Sequence, residues 1–485
     1  MKKRISLILM SVLVMMCLFQ NAGFAQETGG EQQLGLQVND DGMLMKDGIP
    51  YRGIGVNYYS GFVRTLEDPA NSDTSYRDGF QVLGEHHIPF ARFSVAPYYP
   101  SQWQLYKEDK EKYFEILDDF VHSAEQNHVG LIPSFFWTSF SVADMVGEPI
   151  NRWGSLDSEV QQFMKQYVSE VVSRYKDSPA IWGWEFGNEY NLSSDLPNAS
   201  EWRPPVIPEL GTPTFRTADD ELTHAMIRSA FTVFATEVRK YDPDRIIISG
   251  NSLPRSSEWH QEQYLSWDQD TEQQFADMLN KDNPDPMDTI SVHIYDMQEQ
   301  RFSRTVPVEE LLGKLMQIST EANKPLFVGE FGTSESIGHE PARQNFERLI
   351  TAVHDAGVPF AAVWVFDLPN QPENTITDTN AKAYQLDRIR EVNESYVNVD
   401  AIKQIVTLYE GDGQITGTLA TQLQYRLGII QILIAQGDTP NAIAYLTDFL
   451  NYINDASVQQ QQLLSPAATG ALNRGAGELI RIWSQ

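Results

Sequence analysis

Short apolar runs alternate along the chain with longer segments in which apolar residues recur every three or four positions. The short runs predict buried strands and the longer segments predict helices, for example Glu111–Gln126, Glu159–Tyr175 and Val308–Ala322. Eight strand–helix pairs between Tyr51 and Asn393 predict an α/β fold, a (β/α)₈ TIM barrel. The predicted strands are Arg52–Asn57, Pro89–Val95, Gly130–Phe136, Ile181–Gly187, Arg245–Gly250, Thr289–Tyr295, Pro325–Phe331 and Ala361–Asp367.

A doubly wound open sheet is the alternative arrangement of such units. That fold usually carries a glycine-rich phosphate-binding turn after an early strand, and the sequence has none. In a barrel, the residues that do chemistry lie at the C-terminal ends of the strands. This position is therefore the test for each candidate residue.

The C-terminal part of the chain has a different pattern. After Asn393 strand signals stop, charge falls, and Gln and Ala become frequent. Thr439–Pro440 and Ser465–Pro466 each place a capping residue before a proline, which is typical of a helix start. A small all-α domain at 400–485 is therefore predicted to follow a barrel domain at 26–395. It resembles the FIMAH domain in its Gly-Asp-Thr helix junction and closing helix, and its expected partner is a cell surface or another protein.

The N-terminus has the pattern of an export signal. A basic start is followed by an apolar run, which ends at the polar residues Gln20 and Asn21 and is short for a membrane span. A small-residue cleavage site then ends at Ala25. An uncleaved membrane anchor is the alternative, and the short length of the apolar run disfavours it. Residues 1–25 thus predict a secreted protein that leaves the membrane when the signal is removed. The only cysteine, Cys17, lies in this segment, so the rest of the chain relies on its apolar core rather than on disulfides.

Charge and motif content limit the partners. The formal net charge of −30 disfavours nucleic acid and anionic lipid, whereas a neutral polymer meets no repulsion. The sequence contains no HExxH motif, and His86 and His87 fall at the end of the first predicted helix, away from the strand ends. We therefore expect neither a cofactor nor a catalytic metal.

Two glutamates lie at predicted strand ends, and a third lies inside a strand. Glu189 follows the fourth strand and Glu330 ends the seventh, so the two face each other across the barrel mouth. Glu185 has the same strand parity as Glu189 but lies deeper, at about 3.3 Å per residue. Cleavage of a sugar linkage needs one protonated and one ionised carboxyl group. Glu189 and Glu330 are the candidate pair, and Glu185 is predicted to point into the packed interior.

The motifs WEFGNE (Trp184–Glu189) and VGEFG (Val328–Gly332) resemble those of clan A glycoside hydrolases, and most closely family 5, which contains cellulases and mannanases. The resemblance covers Tyr51 to about Asn393. It implies that Glu189 is the acid/base, that Glu330 is the nucleophile, and that Asn188 holds the hydroxyl next to the anomeric carbon. The carboxyl groups are then expected about 5–5.5 Å apart, with the pKa of Glu189 raised by the charge of Glu330.

The resemblance also assigns substrate-binding positions. Tyr295 is expected to orient the nucleophile, and Arg92 either keeps Glu330 ionised or neutralises Glu185. Cellulase members usually carry a histidine at the end of strand three; this chain has Trp137 there, as mannanases do. The remaining positions are His293 on strand six, Trp364 on strand eight as a face for a sugar ring, and Asn57 at the end of strand one.

Aromatic and proline-rich segments after the strands suggest walls of a cleft. Trp137 and Trp259 are the aromatic residues most expected to stack on sugar. The stretch Trp202–Phe215 is predicted to be an ordered loop that shapes one wall of the cleft.

The predicted function is that of an exported retaining β-glycoside hydrolase that cuts a β-1,4-linked polysaccharide, mannan or glucan, internally. The alternatives are an exo-β-glycosidase, a transglycosylase with the same carboxylates, and a non-catalytic carbohydrate-binding or cell-wall protein on a degenerate barrel. The presence of both Glu189 and Glu330 favours an enzyme, because a binding protein does not need the pair.

Overall fold

The computed structural model describes residues 34–455, 458 and 461–484. The predicted export signal, 1–25, lies outside the described residues. In the described part of the chain, no helix has both the length and the apolar character needed to cross a membrane.

Eight parallel strands form a nearly closed barrel, which confirms the predicted fold class. The sheet order is β5-β4-β3-β2-β1-β8-β7-β6, so β8 pairs with β1 and consecutive strands are neighbours in the sheet, except that β5 and β6 stand at its two ends. Nearly all strand residues are buried, as expected for parallel strands covered by helices. The strands are β1 Gly53–Asn57, β2 Phe90–Ser94, β3 Gly130–Phe136, β4 Gly183–Gly187, β5 Ile246–Ile248, β6 Ile290–Ile294, β7 Leu326–Phe331 and β8 Phe360–Val363.

Eight helices surround the barrel, and each buries one apolar face. In the second helix, for example, Tyr113, Leu117, Phe120 and Ala124 are buried at helical spacing, and Asp109 caps the first turn. Short additional helices lie in the loops at Val63–Glu67, Gln104–Glu108, Ser139–Val146 and Glu258–Tyr264. The main helices are α1 Tyr76–Glu85, α2 Lys110–Gln126, α3 Glu159–Tyr175, α4 His224–Arg239, α5 Glu272–Asp282, α6 Val308–Glu321, α7 His339–Asp355 and α8 Tyr384–Tyr396.

A small antiparallel sheet packs against the first residues of the barrel strands. Its strands are Leu36–Val38, Leu44–Lys46 and Ile49–Pro50. Leu36 and Leu44 belong to one apolar cluster with Phe90, Phe327 and Phe360, which begin or nearly begin barrel strands. The N-terminal end of the barrel is thus covered, and a ligand can enter from the opposite end. A two-stranded hairpin, Gln298–Arg301 with Arg304–Pro307, lies between β6 and α6.

Among the described residues, the helices that follow the barrel are α9 Val399–Gly411, α10 Leu419–Ala435, α11 Thr439–Ile453 and α12 Pro466–Trp483. Their apolar residues, from Val399 to Leu479, form a cluster separate from that of the barrel. Ser465 caps α12 as predicted. The predicted cap of α11 is one residue off: the Asp438 side chain accepts from the Asn441 N–H, and Thr439 is the first helical residue. A carboxylate two positions before Pro440 competes successfully with the threonine hydroxyl.

Candidate active site

A cavity of about 450 Å³ lies at the C-terminal ends of the barrel strands. Six of the ten predicted site residues line it: Trp137, Asn188, Glu189, Tyr295, Glu330 and Trp364. The barrel places them together because β3, β4, β6, β7 and β8 all end at this mouth. Tyr59, Tyr98 and Gln371 also line the cavity.

Two smaller spaces adjoin this cavity and share residues with it. One, of about 210 Å³, shares Trp137, Asn188 and Glu189 and is completed by Pro204 and Pro205. The other, of about 440 Å³, shares Tyr295 and Trp364 and extends along the loops after β7 and β8. The three spaces form a groove that continues on both sides of the glutamate pair.

The Arg92 side chain lies at the centre of the barrel and is fully buried. Its Nε donates to both Glu185 oxygens, at 2.8 and 2.9 Å. Nη1 donates to Glu330 Oε1 at 2.8 Å and to Asn57 Oδ1 at 2.9 Å, while Nη2 donates to Asn188 Oδ1 at 2.8 Å. Arg92 therefore contacts both glutamates that the sequence offered as its partners.

Glu330 is held on both carboxylate oxygens. Arg92 contacts Oε1, and the Tyr295 hydroxyl donates to Oε2. The side chain is nearly buried, and a negative charge there has a guanidinium and a phenol as direct partners. Burial, with the neighbouring Glu330 charge, raises the pKa of Tyr295 well above its usual value, so the phenol keeps its proton and remains a donor.

Glu189 follows β4 in a left-handed backbone conformation, with φ 54° and ψ 32°. His293 Nδ1 lies 2.8 Å from Glu189 Oε1 and 3.7 Å from Glu330 Oε2. One oxygen of Glu189 and one of Glu330 lie within 4.8 Å of each other and of this nitrogen. The two carboxylates thus face one space, with the imidazole beside both.

The pKa of the Glu189 carboxyl is shifted opposite to the expected direction. Burial acts to raise the pKa, but hydrogen bonds from His293 and Ser252 outweigh it, and Arg92 adds a smaller attraction, so the pKa lies below the ordinary glutamate value. Ser252 belongs to the loop after β5, and no motif marked it. The sequence-based expectation considered only the charge of Glu330 and was wrong for the free protein.

Glu185 lies below the cavity, as its strand position predicts. The side chain is fully buried, and burial raises its pKa although the Arg92 charge opposes the shift. Asn57 is also buried; it accepts from Arg92 and donates to the Gly329 carbonyl at 2.9 Å. Neither residue lines the cavity. Arg92 connects both of them to Asn188 and Glu330, which do line it.

The predicted aromatic positions divide into two groups. Trp137 and Trp364 lie side by side with ring centroids 6.2 Å apart, and the Arg92 guanidinium lies 4.4 Å from the Trp137 ring centroid. Trp364 Nε1 donates to Gln371 Oε1 at 3.1 Å, a contact that no sequence signal indicated. Trp259, in the short helix Glu258–Tyr264, packs against its neighbours His260 and Tyr264 and is not part of the cavity wall.

We expect Glu185→Ala to lower the free energy of unfolding by about 3 kcal/mol, because it leaves Arg92 Nε buried without its acceptor. Chemical denaturation followed by tryptophan fluorescence measures this. Glu115→Ala, which removes an exposed ion pair with Lys112, is the control and should leave the transition nearly unchanged. An unaltered midpoint for Glu185→Ala would contradict the assigned structural role.

Comparison with known families agrees with this geometry. Residues 91–370, more than half of the chain, match the model described as cellulase (glycosyl hydrolase family 5), and residues 399–481 match the FIMAH domain. The chain is similar to the endo-1,4-beta-mannanase of Rhizomucor miehei, with a TM-score of 0.53 at 15% identity over 74% of this chain and 99% of that one. At this level of sequence identity, the similarity is evidence for the fold alone.

Two relatives illustrate the range of sequence similarity. The chain is 23% identical to "Mannan endo-1,4-beta-mannosidase 7" of Arabidopsis thaliana over 76% of its own length and 88% of the relative. It is 35% identical to "Probable mannan endo-1,4-beta-mannosidase A-2" of Aspergillus terreus, but over 15% of this chain and 20% of that protein. The match with the first family model extends from β2 to the loop after β8 and so includes both glutamates. The chain therefore belongs to the cellulase family, glycosyl hydrolase family 5, and is a glycosidase of that family with a C-terminal FIMAH domain.

Proposed function

We propose that the protein is an exported, retaining endo-β-1,4-mannanase in which Glu330 is the nucleophile and Glu189 the acid/base. The observation that carries this proposal is the pair of carboxylates that face one cavity with oxygens within 4.8 Å of each other. Retaining glycosidases hold the two carboxyl groups about 5–5.5 Å apart, whereas inverting enzymes leave about 6.5–9.5 Å for a water molecule. An oxygen of each carboxylate within 4.8 Å of the other supports the shorter, retaining arrangement.

In the first step, a Glu330 oxygen attacks the anomeric carbon as the bond to the leaving oxygen breaks, and Glu189 gives that oxygen a proton. In the second step, Glu189 takes a proton from water, whose oxygen displaces the Glu330 ester and restores both carboxyl groups. Arg92 and Tyr295 each contact one oxygen of Glu330 and fix the direction of its lone pairs. Asn188, oriented by Arg92, is placed to hold the hydroxyl beside the anomeric carbon.

Glu189 must gain a proton before it can act as an acid. In the free protein its side chain is still 32% exposed and its pKa is low. A sugar bound in the cavity displaces the remaining water from this carboxyl group, and loss of water raises the pKa of a carboxyl. We therefore infer that substrate binding itself brings Glu189 into its acid form.

Mannan is favoured over glucan by Trp137, which stands where cellulase members usually carry a histidine. The names of the Arabidopsis and Aspergillus relatives point to the same substrate. Internal cleavage is supported by the groove that continues on both sides of the glutamates. The export pattern of residues 1–25 supports action outside the cell, where we propose that the FIMAH domain contacts a cell surface or another protein.

The proposal is tested by measuring released reducing sugar from mannan, cellulosic glucan, mixed-linkage glucan and xylan. We expect the highest rate on mannan, with products of several lengths at early times, because an open groove binds a chain anywhere along its length. A single short product released from chain ends would instead indicate exo action. Added manno-oligosaccharide that reappears in longer products would indicate transglycosylation.

The roles of the pair can be separated with two alanine variants. We expect Glu330→Ala to lose at least about a thousandfold in kcat on every substrate, because it removes the attacking group. Glu189→Ala should lose comparably on mannan but keep much of its kcat/KM with a dinitrophenyl leaving group, because formation of the Glu330 ester then needs no proton. Proton NMR of the first product should show the β-anomer. An initial α-anomer would remove Glu330 from the nucleophile role.

The proline-rich loop after β4 offers a test of cleft length. Pro204 and Pro205 line the groove beside Glu189, on the side where the leaving sugar must lie, and Trp202 is 61% exposed two residues away. The loop is fixed because Arg216 donates twice to Asp144, with both contacts at 2.7 Å. An exposed ring in this place is suited to stack on a sugar.

We expect Trp202→Ala to lower kcat/KM on mannan about five- to tenfold, as loss of about 1 kcal/mol of aromatic contact implies. The rate on a short aryl mannoside should be unchanged, because that substrate does not reach the loop. Tyr425→Ala, which removes a ring that is 71% exposed on α10, is the matched control and should alter neither rate. Equal effects of the two variants on mannan would argue against a sugar-binding loop.

A further inference from the structure

A buried ionic cluster lies beside the loop that carries Glu189. His224, at the start of α4, is almost fully buried between three carboxyl groups. Its Nδ1 lies 2.7 Å from Asp195 Oδ2, and its Nε2 lies 3.1 Å from Glu258 Oε1 and 3.8 Å from Asp282 Oδ1. Glu258 and Asp282 are also buried. The mechanism above uses none of these four residues.

The charges within the cluster largely compensate one another. Burial acts to lower the pKa of His224, but the hydrogen bonds with Asp195 and Glu258 raise it to about 10, so the ring is an imidazolium that donates from both nitrogens. Burial, with the Glu258 charge, raises the pKa of Asp282 well above its usual value. Arg228 provides an additional attraction to Asp282.

Asn191 connects this cluster to the loop after β5. Its Nδ2 lies 3.4 Å from Glu258 Oε1 and 3.3 Å from Asp282 Oδ2, and it donates to the Ser252 carbonyl at 3.1 Å. Its Oδ1 accepts from the Ser252 N–H, also at 3.1 Å. Arg255 provides a second connection between the cluster and the loop after β4. Its N–H donates to Glu258 Oε2, and its guanidinium donates to the Leu192 carbonyl.

Both joined loops contact Glu189 directly. Asn191 follows Glu189 by two residues, and the Ser252 side chain lies close enough to the Glu189 carboxyl to lower its pKa. The Glu189 N–H donates to the Gly250 carbonyl at 2.9 Å. The left-handed backbone of Glu189 is unfavourable for a non-glycine residue, so it persists because surrounding contacts hold it.

We propose that His224 is a positioning residue for proton donation: held between Asp195 and Glu258, it fixes Asn191 and Ser252 so that the Glu189 carboxyl faces the leaving oxygen. This inference rests on the proposed acid/base role of Glu189. His224 itself does not touch the groove. Its removal should impair proton delivery more than sugar binding or attack by Glu330.

Leaving-group dependence distinguishes this role from a general loss of folded protein. A mannohexaose linkage needs a proton on its leaving oxygen, whereas 2,4-dinitrophenyl β-mannobioside does not. For His224→Gln we expect kcat/KM on mannohexaose to fall at least about tenfold, as misplacement of a general acid implies. We expect kcat/KM on the dinitrophenyl substrate to fall less than about threefold, since this parameter reports attack by Glu330, which is unaffected.

Two further variants complete the test. His260→Gln is the matched control: His260 pairs with Asp270 at 2.6 Å on the same short helix as Glu258, and both rates should stay unchanged. Ser252→Ala removes the contact with Glu189 and leaves the ion cluster in place, so it should show the same selective loss on mannohexaose. It decides the question if His224→Gln does not fold.

The outcomes separate the two proposals. An equal loss on both substrates, or no loss on either, for both His224→Gln and Ser252→Ala would overturn the positioning role while leaving the proposed function intact. A wild-type protein inactive on both mannosides would overturn the proposed function itself. A selective loss on mannohexaose with an unaffected His260→Gln supports the positioning role.

Discussion

One buried guanidinium determines the arrangement of the active site. Arg92 satisfies four side chains from three other strands and their ends, namely Asn57, Glu185, Asn188 and Glu330. A buried cation is stable only when it is paired and hydrogen-bonded, and a buried carboxylate has the same requirement. Each group therefore constrains the others. Glu185 has no access to substrate. It nevertheless balances part of the Arg92 charge, which Glu330 would otherwise have to balance alone.

This arrangement explains why the two glutamates of the cavity differ. Glu330 lies on β7, where the pairing register shifts after Val328, and its oxygens are held by Arg92 and Tyr295. Glu189 lies on a left-handed residue after its strand, so its position depends on the loops after β4 and β5. A nucleophile benefits from a fixed direction of attack, whereas an acid/base must exchange a proton twice in each cycle. The tightly held Glu330 and the loop-supported Glu189 fit the roles proposed for them.

Sequence patterns predicted the barrel and the glutamate pair because both depend on local periodicity and on strand ends. Buried strands rich in Val, Ile and Phe appear in the sequence as short apolar runs. The depth of Glu185 below the barrel mouth follows from its position along β4. The pKa of Glu189 could not be predicted this way, since it is set by Ser252 and His293 from other strands. The same holds for Gln371 and for the His224 cluster, whose members are distant in sequence.

The FIMAH domain contacts the end of the barrel that lies opposite the groove. Its contact with the rest of the chain includes a hydrogen bond from the Tyr409 hydroxyl to the Gly48 carbonyl, at 2.7 Å, in the small sheet that covers the N-terminal end of the barrel. The groove lies at the opposite end of the strands. A partner that binds the helical domain, as proposed above, would therefore not cover the groove from that end. Attachment through the closed end of the barrel would leave the open end free, so a long polymer could still cross the groove.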